Sequence, residues 1–220
     1  MKARCRAPYI VYAVTILVIL AASRLSSLKP YLGIIVAVLF LYTPIAFLFL
    51  RRQPPSLYGI GTKGMAGSVA RALLLAVLVL PLYTAGFSIY MRHFYALTLT
   101  FPPAPHAWSA HMLRFALNGL LMVAVPEEVF YRGYMQSETE RCDRRKVGVF
   151  GARIGISVLI TNALFAAGHL VVVPDVRRLA VFFPGLAFSW LREKDDNIAG
   201  PIVFHWLSNM LSFFLFSLLR

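Results

Sequence analysis

The sequence predicts an all-α fold: a polytopic transmembrane helical bundle of about seven spans, with the N-terminus on the cytoplasmic side. Three observations carry that expectation. Of 220 residues, 59% are hydrophobic and 14% charged, with a mean hydropathy of +0.71, which is too apolar for an ordinary soluble domain. Apolar stretches of helix length recur along the whole chain. The Lys and Arg residues fall mostly between those stretches, and more densely in alternate ones, as the positive-inside bias of membrane proteins requires. This also accounts for the net charge of +13. No basic amphipathic surface of the kind that binds nucleic acid is formed, and a nucleic-acid partner is not expected.

In chain order, the apolar runs lie at 9–23, 31–50, 68–91, 111–134, 148–173, 178–191 and 198–219. Lys2, Arg4 and Arg6 precede the first run, which ends in Ala-Ala-Ser like a secretory signal. The spans that follow favour an uncleaved first transmembrane helix. At about 1.5 Å per residue the second run reaches about 30 Å, the thickness of the hydrocarbon core. The sixth is short and holds Pro184 and Gly185, so it is expected to be kinked, tilted or re-entrant. Turn chemistry separates the runs: LKP at 28–30, RRQPP at 51–55, FPPAP at 101–105 and EKDDN at 193–197. GIGTKG, between Pro54 and Gly67, lacks the spacing of a phosphate loop and reads as an interfacial linker. The chain divides into N-terminal helices and loops over 1–110 and a helical core over 111–220, within one membrane domain.

With the N-terminus inside, the inner segments hold twelve basic residues: Lys2, Arg4, Arg6, Arg51, Arg52, Lys63, Arg141, Arg144, Arg145, Lys146, Arg192 and Lys194. The outer segments hold six: Arg24, Lys29, Arg92, Arg177, Arg178 and Arg220. Arg71, Arg114, Arg132 and Arg153 are assigned to helices. The bias sets Glu127 and Glu128 toward the cytoplasmic end of the fourth helix. Cys5 and Cys142 are far apart, match neither a CxxC site nor a disulfide framework, and receive no role.

The polar residues inside apolar runs carry the chemistry. Glu138, Glu140, Asp143, Asp175, Glu193, Asp195 and Asp196 are expected in loops, and only Glu127 and Glu128 lie within an apolar span. An acidic residue costs on the order of 2.5–3.5 kcal/mol at the centre of a membrane helix, so such a pair signals function by default. His93, His106 and His111 fall in or beside the third connection, whereas His169 and His205 sit on apolar helices that also carry Asn162 and Asn209. Helical spacing puts Glu128 with Arg132, Phe165 with His169, and His205 with Asn209 on common faces. Glu127 and Glu128 point about 100° apart and do different work: Glu128 pairs with Arg132, and Glu127 turns into the cavity.

Such a set supports peptide hydrolysis. Glu127 with His169 would position a water and take its proton, while His205 with Asn209 would stabilise the oxyanion. Glu127, His169 and His205 would alternatively form a zinc site with an open water position, although no HExxH demands one. Each feature has a plainer reading, as an interhelical hydrogen bond or an interfacial anchor. The co-occurrence on three helices favours catalysis.

Glu127-Glu128-xxx-Arg132, Phe165-xxx-His169 and His205-xxx-Asn209 together resemble the CPBP family of intramembrane proteases, which includes the CAAX prenyl endopeptidases of the Rce type. The resemblance covers about 112–217. It implies a helical core with a cavity open to the cytoplasmic side, water activation by Glu127 and His169, oxyanion stabilisation by His205 and Asn209, and support from Glu128, Arg132 and Phe165. It implies a glutamic-type mechanism without a cofactor, zinc being the alternative. The expected partners are the lipid bilayer and a membrane-anchored protein or peptide, cut in a C-terminal sorting or anchoring segment, in a prokaryotic inner membrane. A non-catalytic immunity or partner-binding protein and a proton-coupled transporter are the competing classes. A transporter would string polar groups across the bundle, and no inverted repeat is visible.

Overall fold

The computed structural model describes residues 2–100, 109–143 and 145–220. The FPPAP turn, His106 and Arg144 lie outside the described residues. Helices α1 (Lys2–Arg24), α2 (Leu32–Arg51) and α3 (Met65–Tyr95) are followed by one continuous helical stretch, α4, over 109–140. Then come strands β1 (Lys146–Val149) and β2 (Ala152–Gly155), and helices α5 (Ile156–Val172), α6 (Phe182–Asp195) and α7 (Ala199–Ser217). Cys5–Arg24, Lys29–Arg51, Met65–Tyr95 and Ala199–Ser217 are long and apolar enough to cross a membrane. Ile10, Leu17, Val77 and Leu82 are among the large apolar side chains left exposed on these helices, as expected of surface that meets lipid rather than water.

α4 forms the centre of the bundle. Phe130 stacks on Phe40 of α2 at 4.7 Å, Tyr131 packs edge-on against Tyr12 of α1 and Phe165 of α5, and Tyr134 meets Phe47. α3 and α7 run side by side in the same direction. The Gly200 amide donates to Ser68 Oγ at one end, and the rings of Phe87 and Phe216 meet at the other. A Cβ at Gly200 would lie 2.5 Å from Ser68 Oγ, so glycine is what permits this approach.

The basic segments come together at one end of the bundle. There Tyr58 donates to Glu138, Asn197 donates to the carbonyls of Gly61 and Lys63, and Lys146 pairs with Glu140 and Glu193. The opposite end gathers 95–100, 173–181 and 218–220. Thr98 and Arg220 exchange backbone hydrogen bonds, and Arg177 donates to the Tyr95 hydroxyl.

Several expectations are corrected. Cys5 and Cys142 form a disulfide that ties the start of α1 to the segment after α4; their separation in sequence concealed a spatial pair. The apolar run at 148–173 opens with a hairpin rather than a helix. Its residues alternate with period two, and Phe150 and Gly151 both take positive φ in a two-residue turn that matches strand twist. Arg153 therefore lies on a strand. Glu138, Glu140, Glu193 and Asp195 are helical, not in loops, and Glu138 is buried. The sixth helix starts at Phe182, with Pro184 in its first turn, where the missing N–H costs no helical bond. α4 continues for twelve residues beyond Glu128, so the glutamates lie in its interior.

Candidate active site

Around the glutamates, α4 alternates between α and π winding: π over Gly119–Ala124, α over Val125–Glu128, π over Val129–Gln136. Pro126 has no N–H for the helical ladder and crowds the preceding turn, and the wider π turns on either side accommodate it. Glu127 and Glu128 lie together on the α-wound turn, about 100° apart around the axis, and so enter different surroundings.

Glu128 and Arg132 are fully buried and paired, Arg132 Nη1 donating to Glu128 Oε1 at 3.2 Å. Arg132 Nη2 donates to Asn162 Oδ1 at 3.0 Å and to the Gly185 carbonyl at 3.1 Å. The guanidinium also lies 4.3 Å from the Phe165 ring centre and 5.0 Å from that of Phe188, a cation–π setting. Asn162 Nδ2 donates in turn to Ser189 Oγ and to the Val158 carbonyl, each at 2.8 Å. A Cβ at Gly185 would come within 2.3 Å of Asn162 Oδ1 and 3.0 Å of Arg132 Nη2. The bare backbone of α6 is therefore what lets its carbonyl reach the arginine. Desolvating two charges costs several kcal/mol each, and only a set of partners of this kind offsets it.

Glu128 Oε1 also accepts from His205 Nδ1 at 2.8 Å. That bond places the Nδ1 proton and aims Nε2 at the other glutamate, 3.9 Å from Glu127 Oε2. The His205 ring stacks on Phe188, with centres 4.8 Å apart and planes at 14°. Glu127 is less deeply buried than Glu128, and its Oε2 has no hydrogen-bond partner among the described residues. His169 lies in the last turn of α5, with Nδ1 2.9 Å from the Phe165 carbonyl and its ring on the Phe165 edge. Asn209 sits one turn beyond His205, half-buried, and makes no hydrogen bond among the described residues.

The structure thus brings Glu127, Glu128, Arg132 and His205 into one connected group, with His169 and Asn209 at its border. The imidazole nearest to Glu127 is His205; His169 is held by its own helix. As a zinc set, Glu127, His169 and His205 do not converge in this arrangement: among the described residues no three His, Cys, Asp or Glu side chains are grouped to hold a metal. Chemically, the group offers a carboxylate with a free oxygen beside an imidazole that a second, fixed carboxylate orients, the arrangement used to move a proton and stabilise developing charge.

Residues 107–211 match a family described as Type II CAAX prenyl endopeptidase Rce1-like. Over these residues the chain is similar to the CPBP family, in line with the resemblance of its three motifs. The Rce1-like match spans α4 through most of α7 and takes in every residue of the connected group. No curated protein and no solved structure matches the chain. Within the Rce1-like region, Asn162, Gly185, Phe188 and Ser189 complete the surroundings of Arg132 although no role was expected of them. Asn162 carried a signal, as an amide in an apolar helix, and so did Gly185 beside Pro184. Phe188 and Ser189 carried none.

Proposed function

We propose that the protein is an intramembrane endopeptidase that cleaves a membrane-anchored protein or peptide with a water activated by Glu127. Similarity of residues 107–211 to the Rce1-like group of membrane proteases supports the reaction class. The observation that carries the finer reading is the geometry of the two glutamates around one imidazole: Glu128 accepts a hydrogen bond from His205 Nδ1, and Glu127 faces Nε2 across a 3.9 Å gap. Glu127 removes a proton from water as the water attacks the scissile carbonyl, and returns it to the amide nitrogen as the C–N bond breaks and the amine leaves. In its doubly protonated form His205, held at Nδ1 by the Glu128 carboxylate, donates from Nε2 to the tetrahedral oxyanion. Asn209 supplies a second donor from the next turn, and His169 borders the water on the α5 side. The mechanism is of glutamic type and uses no metal ligand; the substrate segment is a C-terminal anchor in a prokaryotic inner membrane.

The test uses purified protein in proteoliposomes with quenched peptides carrying C-terminal membrane anchors, with and without a farnesylated cysteine. Glu127→Gln and His205→Ala are expected to lower kcat by roughly 10²–10⁴-fold, with the thermal transition of Glu127→Gln unchanged. Cleavage is expected to survive exhaustive chelation. Folded variants that cleave at the wild-type rate would remove this reading in favour of a binding protein.

A further inference from the structure

α6 presents two faces. Gly185, Phe188 and Ser189 turn inward to the Arg132 network. Leu186, Ala187 and Trp190, on the other side of the helix, line a cavity of about 580 Å³, closed further by Leu75 of α3, Ile154 of β2 and Val158 of α5. The thickness of α6 thus separates this cavity from the Arg132 network.

The hairpin roofs it. Val147 pairs with Ile154 and Val149 with Ala152, so four apolar side chains share one face of the ribbon, while Lys146 and Arg153 stand on the other face with Gly155 and Gly148 opposite them. The apolar face is held down by Trp190, whose Nε1 donates to the Val149 carbonyl at 3.0 Å. A two-stranded hairpin is marginally stable in water by itself, so this one depends on what fills the space beneath it.

Two observations identify the occupant. First, the lining continues into exposed apolar surface. Leu74 and Leu78 of α3 and Ile156 of α5, next to lining residues, are exposed, and Phe150 at the hairpin tip is 89% exposed. Surface of this kind meets lipid. Second, the rim is positively charged. Lys194 follows Trp190 by one helical turn, and its Nζ donates to the carbonyl of Phe150, itself a lining residue, at 3.3 Å. Lys194, Arg153 and Arg145 make no ion pair among the described residues. The nearby carboxylates are engaged elsewhere: Glu140 and Glu193 by Lys146, Asp195 by Arg71, Asp196 by Arg192, and Asp143 by Ser157. This rim lies at the basic end of the bundle, which the positive-inside bias sets against the anionic headgroups of the cytoplasmic leaflet.

We propose that the cavity binds one anionic phospholipid of the cytoplasmic leaflet, with an acyl chain between the hairpin, α5 and α6 and the phosphate held by Lys194, with Arg153 adding to the field. The site stands independently of the endopeptidase reading and of the route by which a substrate reaches Glu127.

Quenching of Trp190 tests it. Trp108→Phe and Trp206→Phe leave Trp190 as the single indole. This protein, stripped of lipid in detergent, is titrated with phosphatidylglycerol or phosphatidylcholine carrying brominated acyl chains, which quench an indole they touch. Quenching is expected to saturate at one lipid per chain, with half-saturation at least about tenfold lower for phosphatidylglycerol. Ala187→Phe, which fills the cavity from α6, is expected to abolish the saturable phase. Leu159→Phe fills it from α5 and should do the same, so misfolding of one variant does not decide the result. Lys194→Gln with Arg153→Gln should keep the quenching and erase the headgroup preference. Quenching that rises without saturation, equally for both headgroups, would mean contact with bulk lipid only and would overturn the proposal. Displacement of the brominated lipid by a farnesylated peptide at lower concentration than by unlabelled phosphatidylglycerol would also overturn it, giving the cavity to a substrate anchor.

Discussion

Two polar layers lie on α4, about two and a half turns apart, and they solve the problem of buried charge in opposite ways. In the deep layer, one carboxylate, one guanidinium and one imidazole are linked in a single network, Glu128 with Arg132 and His205, and Arg132 again with Asn162 and the Gly185 carbonyl, although Glu128 Oε2 and Arg132 Nε find no hydrogen-bond partner among the described residues. In the layer at the basic face, carboxylates crowd together. Glu138 is shared by Tyr58 and Arg141, while Glu140 and Glu193 share Lys146. Burial first, and then the neighbouring Glu193 carboxylate, push the Glu140 carboxyl up to about 8. Burial, followed by Glu138, pushes the Tyr58 hydroxyl up to about 12. Where water is far away, charges are balanced by geometry. At the face, where protons can exchange with solvent, imbalance is absorbed by protonation.

That contrast can be broken at the deep layer with the largest effect. Arg132→Met leaves Glu128 buried beside His205 without its cation and is expected to cost about 3–5 kcal/mol of stability, read as loss of the folded species in detergent. Arg132→Met combined with Glu128→Gln should recover much of that loss, because the buried charge is removed with its partner. A smaller effect is expected from Gly185→Ala, whose methyl group would crowd Asn162 and Arg132. A shift of α6 to relieve it should cost about 1–3 kcal/mol, measured by thermal unfolding, with activity lost in parallel as the orientation of His205 relaxes.

The smallest effect sharpens the comparison at the face. Because folding raises the Glu140 carboxyl from its ordinary range to about 8, the folded protein binds more protons than the unfolded chain between roughly pH 4.5 and 8. Stability from this group therefore falls as pH rises through that window. Glu140→Gln should flatten the pH dependence of the unfolding midpoint and leave the variant more stable than wild type above pH 8. An unchanged slope would mean that Lys146 already neutralises the pair.

The sequence made the helices and their faces legible because hydropathy and the 3.6-residue period act locally. Spacing alone placed Arg132 beneath Glu128 and His169 above Phe165, and both pairs are in contact. It was silent on which face of one helix meets which face of another. For that reason the bond between Glu128 and His205, 77 residues apart, was not expected. The hairpin was hidden because its alternation is written in mostly apolar residues inside a longer apolar run. The disulfide was hidden because nothing local marks two cysteines 137 residues apart as neighbours.

That disulfide makes the protein a closed ring with a tail. The ring runs from Cys5 through α1–α4 to Cys142 and contains both glutamates; the tail carries His169, His205 and Asn209. A single proteolytic nick in the exposed linker at 61–64 would therefore leave the molecule in one covalent piece until a reductant is added. A nick at 173–174 would break at once the covalent link to the segment bearing His205 and Asn209, which only packing would then retain. The two halves of the proposed site thus have different covalent security: the acid-bearing half tolerates a broken backbone, and the half that completes it does not.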